Sequence, residues 1–352
     1  MKKVLICPLN WGLGHATRCI PIAREFQQQG YEVDFASDGG PLEFLRMEFP
    51  MARFHQLPGY GVTYPTTNFI FNIGRRMIRL LQVVRDEHRI IQKIASDEAY
   101  DIVVSDNRYG CYSTISYNIF ITHQVNIMTP GNVLDPAVNA INHRFIRKYD
   151  VCWIPDFEVP PGLSGDLGHD HPLTHAVYIG PVSRLVPSDT SIKYKLTAVL
   201  SGPEPQRSKL ENEIRDQFAG LPYPTALVGG VVLSHEKKLS TGDMDYFPFL
   251  TSQELNKVMA QSEIIVCRGG YTTIMDLLAL GKKAICIPTP GQPEQEYLTQ
   301  IYDDRGCFLR QEQGNIDLNK ALKEIEGYSG FQGNIQSGLL TRAVAMISQR
   351  QG

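Results

Sequence analysis

The chain has 352 residues, 43% apolar and 20% charged, with a formal net charge of −3. That length is too great for one ordinary core and suits two domains of about 150 residues each. The near-neutral, interspersed charge leaves no footprint for nucleic acid.

Val4 to Leu9 reads as a short buried strand, and Pro8, Asn10 and Gly12 interrupt it too early for the apolar core of a signal peptide. Asn10 to His15 is a glycine-containing turn. Ala16 to Gln29 sets Ile20, Ala23 and Phe26 on one helical face and stops at Gly30, a residue suited to follow a helix. Tyr31 to Ala36 is the next strand and runs into Ser37-Asp38-Gly39-Gly40. From Phe69 to Ile94, Phe71, Ile73, Met77, Ile78, Leu81 and Val84 mix with Arg75, Arg76, Arg79 and Arg85. The pattern fits a core-facing helix with an exposed arginine face, and leaves open a basic amphipathic helix on anionic lipid, hence a peripheral membrane contact through 69–94. Asp101 to Val104, Ile119 to Thr122, Val151 to Ile154 and Val177 to Ile179 are further strands. Between the last two, Gly168-His169-Asp170-His171-Pro172 reads as a polar surface loop rather than a metal cluster, since Pro172 forbids a helix there.

A second series begins near Lys193. Leu196 to Leu200, Ala226 to Val228, Glu263 to Cys267 and Ala284 to Ile287 are strands. Arg207 to Phe218, Glu254 to Gln261 and Thr272 to Leu280 are helices. Strands alternating with helices predict parallel sheets covered on both faces. The expected class is therefore α/β, with two Rossmann-like domains, residues 1–185 and 186–352. The last helix, about 337–350, is expected to cross back onto the first domain. No run approaches the roughly 18 apolar residues of a membrane span. Seven cysteines without a CxxC pair indicate a reducing compartment. A cytoplasmic protein is expected, at most peripheral on the inner face of a membrane.

The motif that carries most chemistry is Cys267-Arg268-Gly269-Gly270-Tyr271-Thr272-Thr273. A strand runs into it and an apolar helix leaves it. Glycines let the backbone approach a ligand closely, and the N–H groups at a helix start favour an anion. Thr272 or Thr273 can cap the helix or donate to a phosphate. Asp276, one turn on, is placed to bind ribose hydroxyls, and Gln295 opens the next helix.

The second motif is Asn10-Trp11-Gly12-Leu13-Gly14-His15-Ala16-Thr17-Arg18. Read as GxGxxG it fails, because Thr17 stands where the third glycine should be. His15 at a helix start has its pKa pushed down, so it can accept a proton or hydrogen-bond a sugar or phosphate. Arg18 serves either a phosphate or an internal ion pair. Asp38, Asp106-Asn107-Arg108 and His123-Gln124-Val125-Asn126 all follow predicted strands, and that edge of an open parallel sheet lines the ligand crevice. Asp106 is the carboxylate candidate for a base if His15 is not.

The run Arg268-Gly269-Gly270-x-Thr272-Thr273-x-x-Asp276-Leu277…Gly281…Ile287-Pro288…Gln295-Glu296-Tyr297 resembles the donor signature of GT-B glycosyltransferases of the MurG-like type, family 28 and its relatives. The resemblance implies a GT-B fold with parallel sheets facing a central cleft, donor in the second domain and acceptor mostly in the first. It implies that Arg268 to Thr273 face the diphosphate, that Asp276 takes the ribose, that Gln295 and Glu296 take the sugar, and that Phe249 and Leu250 meet the base. Ser201 and Gly202 stand where the family's diphosphate-touching loop lies, with Arg207 as a further anion contact. Gly12, Gly14, Arg18, Asp38, Asn107, Arg108, His123, Gln124 and Asn126 would line the acceptor side, with His15 or Asp106 as base. Asp at 276, Gly at 269 and Glu at 296 depart from the family pattern, and His123 replaces a glutamate.

The implied activity is inverting, metal-independent transfer of a hexose or N-acetylhexosamine from a UDP-sugar to an acceptor hydroxyl, lipid- or glycan-linked as in a cell-envelope glycan. No cofactor is expected beyond that co-substrate. Asp243-x-Asp245 reads as turn chemistry, not a metal motif. The rival activities are a UDP-sugar 2-epimerase of the same fold and a non-catalytic nucleotide-sugar binding protein. A dinucleotide oxidoreductase is the weakest, for want of the third glycine.

Overall fold

The computed structural model describes residues 1–60, 69–129, 131–232, 239–331 and 338–350, with 69–79, 239–241 and 350 as backbone only. The first half contains β1 (Lys3–Pro8), α1 (Gly14–Gln28), β2 (Glu32–Ser37), α2 (Gly39–Glu48), β3 (Phe54–Gln56), α3 (Phe69–Glu98), β4 (Ile102–Asp106), β5 (Tyr117–Ile121), α4 (Asp135–Ile146), β6 (Val151–Ile154) and β7 (Ala176–Tyr178). The second contains β8 (Tyr194–Val199), α5 (Gln206–Ala219), β9 (Thr225–Val228), β10 (Leu239–Thr241), β11 (Met244–Phe247), α6 (Ser252–Ala260), β12 (Ser262–Cys267), α7 (Tyr271–Leu280), β13 (Lys283–Cys286), α8 (Pro293–Asp304), β14 (Leu309–Arg310), α9 (Leu318–Glu324) and α10 (Leu339–Arg350).

Each series makes its own seven-stranded sheet. The first runs β3-β2-β1-β4-β5-β6-β7 and the second β10-β11-β9-β8-β12-β13-β14. All pairings are parallel except that of β10 with β11. The central strands are mostly buried, and β4 (Ile-Val-Val-Ser-Asp) is buried end to end, because helices cover both faces. In each sheet the strand order reverses once, between β1 and β4 and between β8 and β12. At such a switch point the loops beyond the strand ends part and leave a crevice. The loops after β1, β4, β8 and β12 carry Asn10 to Leu13, Asn107, Ser201 to Pro205 and Arg268 to Gly270. The two glycine-containing motifs of the sequence therefore lie beyond the carboxyl ends of switch-point strands.

The two halves pack as one body. A single apolar cluster joins Phe26, Phe35 and Trp153 of the first to Tyr271, Leu298 and Tyr302 of the second. Polar bonds cross the same interface: Tyr302 Oη donates to Leu163 O at 2.7 Å, and Asp166 N–H to Tyr297 Oη at 2.8 Å. Helix α10 lies on α1, with Tyr31 Oη 2.6 Å from Ser348 Oγ and Thr341 Oγ1 donating to Glu25. Short elements with weak periodicity, α2, β3 and the β10–β11 hairpin, are absent from the sequence expectation. Phe69 to Glu98 is one helix. The side chains of its first part, Phe71 to Arg79, which carried the lipid-binding expectation, lie outside the described residues. None of the described helices is long and apolar enough to cross a membrane.

Gly269 shows how tightly α7 and α8 approach. A Cβ there would stand 2.1 Å from Thr299 Cγ2. Gly269→Ala is expected to cost about 1–3 kcal/mol, the usual result of overpacking a filled site. A urea unfolding midpoint equal to that of the unmodified chain would show that the helices part freely.

Candidate functional site

The start of α1 carries a buried charged set. Asp106, at the end of β4, is 0% exposed, and Arg18, one turn into α1, is 1% exposed. Arg18 holds both oxygens of Asp106 through Nε and Nη2. His15 Nδ1 lies 2.6 Å from Asp106 Oδ1 and 2.8 Å from Arg18 Nη2. A carboxylate only accepts, and Arg18 Nη2 already donates to it, so Nδ1 carries the hydrogen and donates to Asp106. That leaves Nε2 with its lone pair and, among the described residues, no partner. The His15 side chain keeps 14% of its surface.

The protonation states follow. Burial pushes the Asp106 carboxyl up, but Arg18 and then His15 outweigh it and hold it well below the usual carboxylate range. Burial and the neighbouring Arg18 push His15 below its ordinary 6.5, against the pull of Asp106. His15 is therefore neutral at pH 7, with its orientation set by a carboxylate that stays ionised. This is the chemistry of an imidazole base held by an acid.

A second set joins the domains. His123, just beyond β5, receives a bond from Arg18 Nη1 on its Nδ1 at 2.9 Å and has Nε2 2.9 Å from Glu294 Oε1, in the first turn of α8. Gln124 Nε2 donates to the other oxygen of Glu294. Tyr271 stacks flat on the His123 ring, with centroids 4.2 Å apart and planes 3° off parallel. Its hydroxyl donates to Pro155 O at 2.8 Å, and Thr272 Oγ1 donates to Gly14 O at 3.1 Å. The starts of α1 and α7 thus face each other at contact distance.

Neither of those starts has a side-chain cap, and nor has α2. Their free N–H groups and dipoles converge on the space between the domains, an arrangement suited to an anion. A cavity of about 250 Å³ opens beside them, lined by Asn10, Gly12, Leu13, Gly40 and Pro41 from one domain and Ser201, Gly202 and Gly230 to Val232 from the other. On the C-terminal side Thr289 Oγ1 and Arg268 Nε are buried with no partner among the described residues.

Several expected roles are corrected. Asp106 is enclosed and cannot reach an acceptor; it orients His15. Arg18 takes the second of its two expected roles, an internal ion-pair partner, rather than lining the acceptor side. Arg108 is buried against Glu87 and Asp38, at 2.6 and 2.8 Å, with Glu87 supplied by α3. Asp38 also accepts from Asn10 at 2.8 Å. These two brace the β4 and α2 ends rather than line an acceptor site. Asn107 sits in a left-handed turn, φ 57°, and donates through its backbone to Ile121 O. Asn126 donates to Asp166 O and His169 O, and so pins a loop. His169 is buried beside Asp156, at 3.5 Å, not on the surface.

The donor side changes too. Arg268 is turned inward onto Ile287 O, Pro288 O and Gln206 O, at 2.9–3.2 Å, and burial lowers its pKa to about 10. It clamps the start of α5 to the loop after β13. Arg207 is taken by Glu204 and Glu211. Neither Thr272 nor Thr273 caps α7; Gly270 holds the cap position. Tyr271 is buried in the interface. Asp276 is buried, accepts from Ser183 Oγ at 2.5 Å and has its pKa raised to about 6 by burial. Gln295 accepts from Thr289 N–H and Glu296 from Gly291 N–H, each bracing its own loop. Leu250 is buried, and Phe249 meets Phe44 of α2 edge-on at 5.5 Å. Gly12, Gly14, Ser201, Gly202 and Gly270 remain at the cleft. Glu294 was not expected. Its carboxylate is one residue before the motif, and only the approach of α8 to the β5 loop singles it out. Arg184, buried between Asp276, Glu48 and the Phe44 ring, was missed for the same reason.

Residues 231–326 match the glycosyltransferase family 28 C-terminal domain. The chain is similar to a Methanosarcina mazei protein named as an uncharacterized glycosyltransferase, 23% identical over 86% of this chain and 84% of that one. A shorter stretch, 31% identical over 77 residues and 21% of each chain, is shared with the UDP-N-acetylglucosamine–N-acetylmuramyl-(pentapeptide) pyrophosphoryl-undecaprenol N-acetylglucosamine transferase of Caldanaerobacter subterraneus. Among solved structures, the Streptomyces glycosyltransferase SsfS6, complexed with thymidine diphosphate, superposes with a TM-score of 0.60 at 12% identity, over 99% of this chain and 100% of that one. The architecture is GT-B.

Replacing Arg18 by Met should leave the buried Asp106 carboxylate without its guanidinium, held only by His15 and the Cys19 thiol. The expected loss is about 3–5 kcal/mol in urea unfolding. A loss under about 1 kcal/mol would mean that water reaches Asp106.

Proposed function

We propose that this GT-B glycosyltransferase moves a hexose or N-acetylhexosamine from a UDP-sugar to a hydroxyl of a lipid- or glycan-linked acceptor, with inversion and without a metal ion. The observation that carries the proposal is the His15–Asp106 pair at the start of α1, facing the uncapped start of α7. A base and an anion site stand on opposite walls of one cleft, which is what direct displacement at a sugar carbon requires.

In the proposed reaction His15 Nε2 takes the proton of the acceptor hydroxyl as its oxygen bonds to the anomeric carbon. The bond from that carbon to the diphosphate oxygen breaks on the opposite face, and the electron pair leaves with the diphosphate. Asp106 stabilises the imidazolium as it forms, and the N–H groups at the start of α7 meet the charge that develops on the leaving group. Asp245, the nearest thing to a metal-binding carboxylate motif, is engaged by Lys193 and Tyr194. The proposal therefore assigns charge stabilisation to helix starts and the loops after β8 and β13. Glu296 braces its own loop and both oxygens of Glu294 are held by His123 and Gln124, so neither carboxylate is assigned to the sugar.

The uridine assignment draws on the Caldanaerobacter enzyme named for a UDP-sugar, and the thymidine diphosphate bound by SsfS6 supplies the competing base. All seven cysteines are unpaired, which supports a cytoplasmic placement.

A thermal-shift panel of UDP-, dTDP- and GDP-sugars should show its largest shift with a UDP-sugar. No shift with any of the three would sink the proposal. His15→Ala should lower turnover by about 100-fold or more while donor affinity changes little; wild-type turnover would remove His15 as base. The pH profile adds a sign. A base must be neutral, and the His15 pKa is lowered from 6.5. Turnover should thus be level at pH 7 and fall only as pH drops below 6.5. An acid limb centred above 6.5 would contradict the burial of His15 beside Arg18.

A further inference from the structure

His123 touches Arg18 on one edge and Glu294 of the donor domain on the other. Its Nδ1 is 2.9 Å from Arg18 Nη1 and its Nε2 is 2.9 Å from Glu294 Oε1. An arginine has donors only, and a carboxylate has acceptors only. Both bonds exist together in a single form of the ring, the neutral tautomer with hydrogen on Nε2. A protonated ring would set its Nδ1–H against an Arg18 N–H. The ring is also clamped face-on by Tyr271 and is 4% exposed, so water has little room to replace either partner.

Each further link is equally constrained. Arg18 has Asp106 as its other anchor, and Asp106 accepts from His15 Nδ1. A continuous path thus runs from Glu294 on α8, through His123, Arg18 and Asp106, to the imidazole at the start of α1. Its first step crosses between domains.

We propose that His123 is a positioning residue that ties Glu294 of the donor domain to the Arg18–Asp106–His15 set, so that the base is held in place only while the donor domain is closed on it. This rests on the reading of His15 as the base. When Glu294 withdraws, the Nε2–H of His123 is left without its acceptor in a buried place, and the ring turns to find another. Arg18 Nη1 then loses Nδ1, the guanidinium shifts, and Asp106 and His15 move with it. A displacement of about 1 Å at a catalytic group costs about 100-fold in rate, so a small motion suffices. The arrangement would keep His15 from activating an acceptor, or water, before a donor is in place.

Two substitutions separate the edges of the ring. The amide oxygen of Asn falls near the Nδ1 position and leaves the Glu294 side empty. The amide nitrogen of Gln falls near Nε2 and leaves only methylene toward Arg18. His123→Gln is expected to lower kcat for UDP-sugar turnover by about tenfold or more, with the donor KM within about twofold. His123→Asn is expected to raise the donor KM about fivefold, with a smaller loss in kcat. Equal kcat losses in both variants would overturn the proposal. Long-range 1H–15N spectra test it without substrate. The unmodified protein should show His123 as the Nε2–H tautomer and His15 as the Nδ1–H tautomer at pH 7, with His15 assigned by difference from His15→Ala. His15 should stay a single tautomer in His123→Asn and become a mixture in His123→Gln. A His123 found as Nδ1–H or as imidazolium overturns the bridge even if neither variant folds. If the unmodified protein turns over no UDP-sugar, the functional reading fails, and the spectra still decide the bridge: a single His15 tautomer surviving in His123→Gln would end it.

Discussion

A carboxylate with no exposed surface has to be paired, and in this protein the pairing of Asp106 organises the site. The aspartate ends a central strand, where the sheet's switch point would otherwise leave it facing a crevice. Arg18 reaches it from the first turn of α1 and takes both oxygens. A guanidinium is planar and forked, so its grip fixes where the remaining lone pairs point. One of them is directed at His15. The imidazole therefore inherits its tautomer and angle from an ion pair made deeper in the domain.

The same chemistry occurs a second time with a different result. Arg108 is held by Asp38 and Glu87, also at the carboxyl end of the first sheet, also buried. That set includes no histidine. It ties β4 to α2 and α3, and Tyr60 Oη closes it by donating to Glu87. Buried ion pairs of this kind contribute more to a fixed geometry than to net stability. What separates the two sets is the partly exposed histidine that terminates one of them. The ion pairs alone carry no sign of function.

Contacts between the two halves bring their glycine-containing loops together. The starts of α1 and α7 meet through Thr272 and Gly14, and Tyr271 lies on His123. The uncapped starts of two helices and a neutral imidazole are thereby brought side by side. Behind them, Glu48 of α2 accepts from the first N–H of α6 at 2.6 Å, a charge placed well for that helix's dipole. The interface thus combines a shared apolar cluster with a buried polar chain through His123.

Strand-and-helix alternation, the glycines after β1 and β12 and the His at a helix start were legible in the sequence, because they are local. Period, turn chemistry and helix starts depend on neighbours a few residues away. Those signals determined an α/β chain with two Rossmann-like halves, each with a glycine-containing loop beyond a central strand. The functions of charged residues were not legible, because a charge is defined by what lies beside it in space. Arg268 in a donor motif turns inward to three carbonyls; Asp106 becomes an orienting group instead of a base; Glu294, unremarked in the sequence, joins the domains. Those partners come from 19 to 171 residues away. Only the tertiary structure decides them, since the free energy of burying a charge is set by its partner and not by its position in the chain.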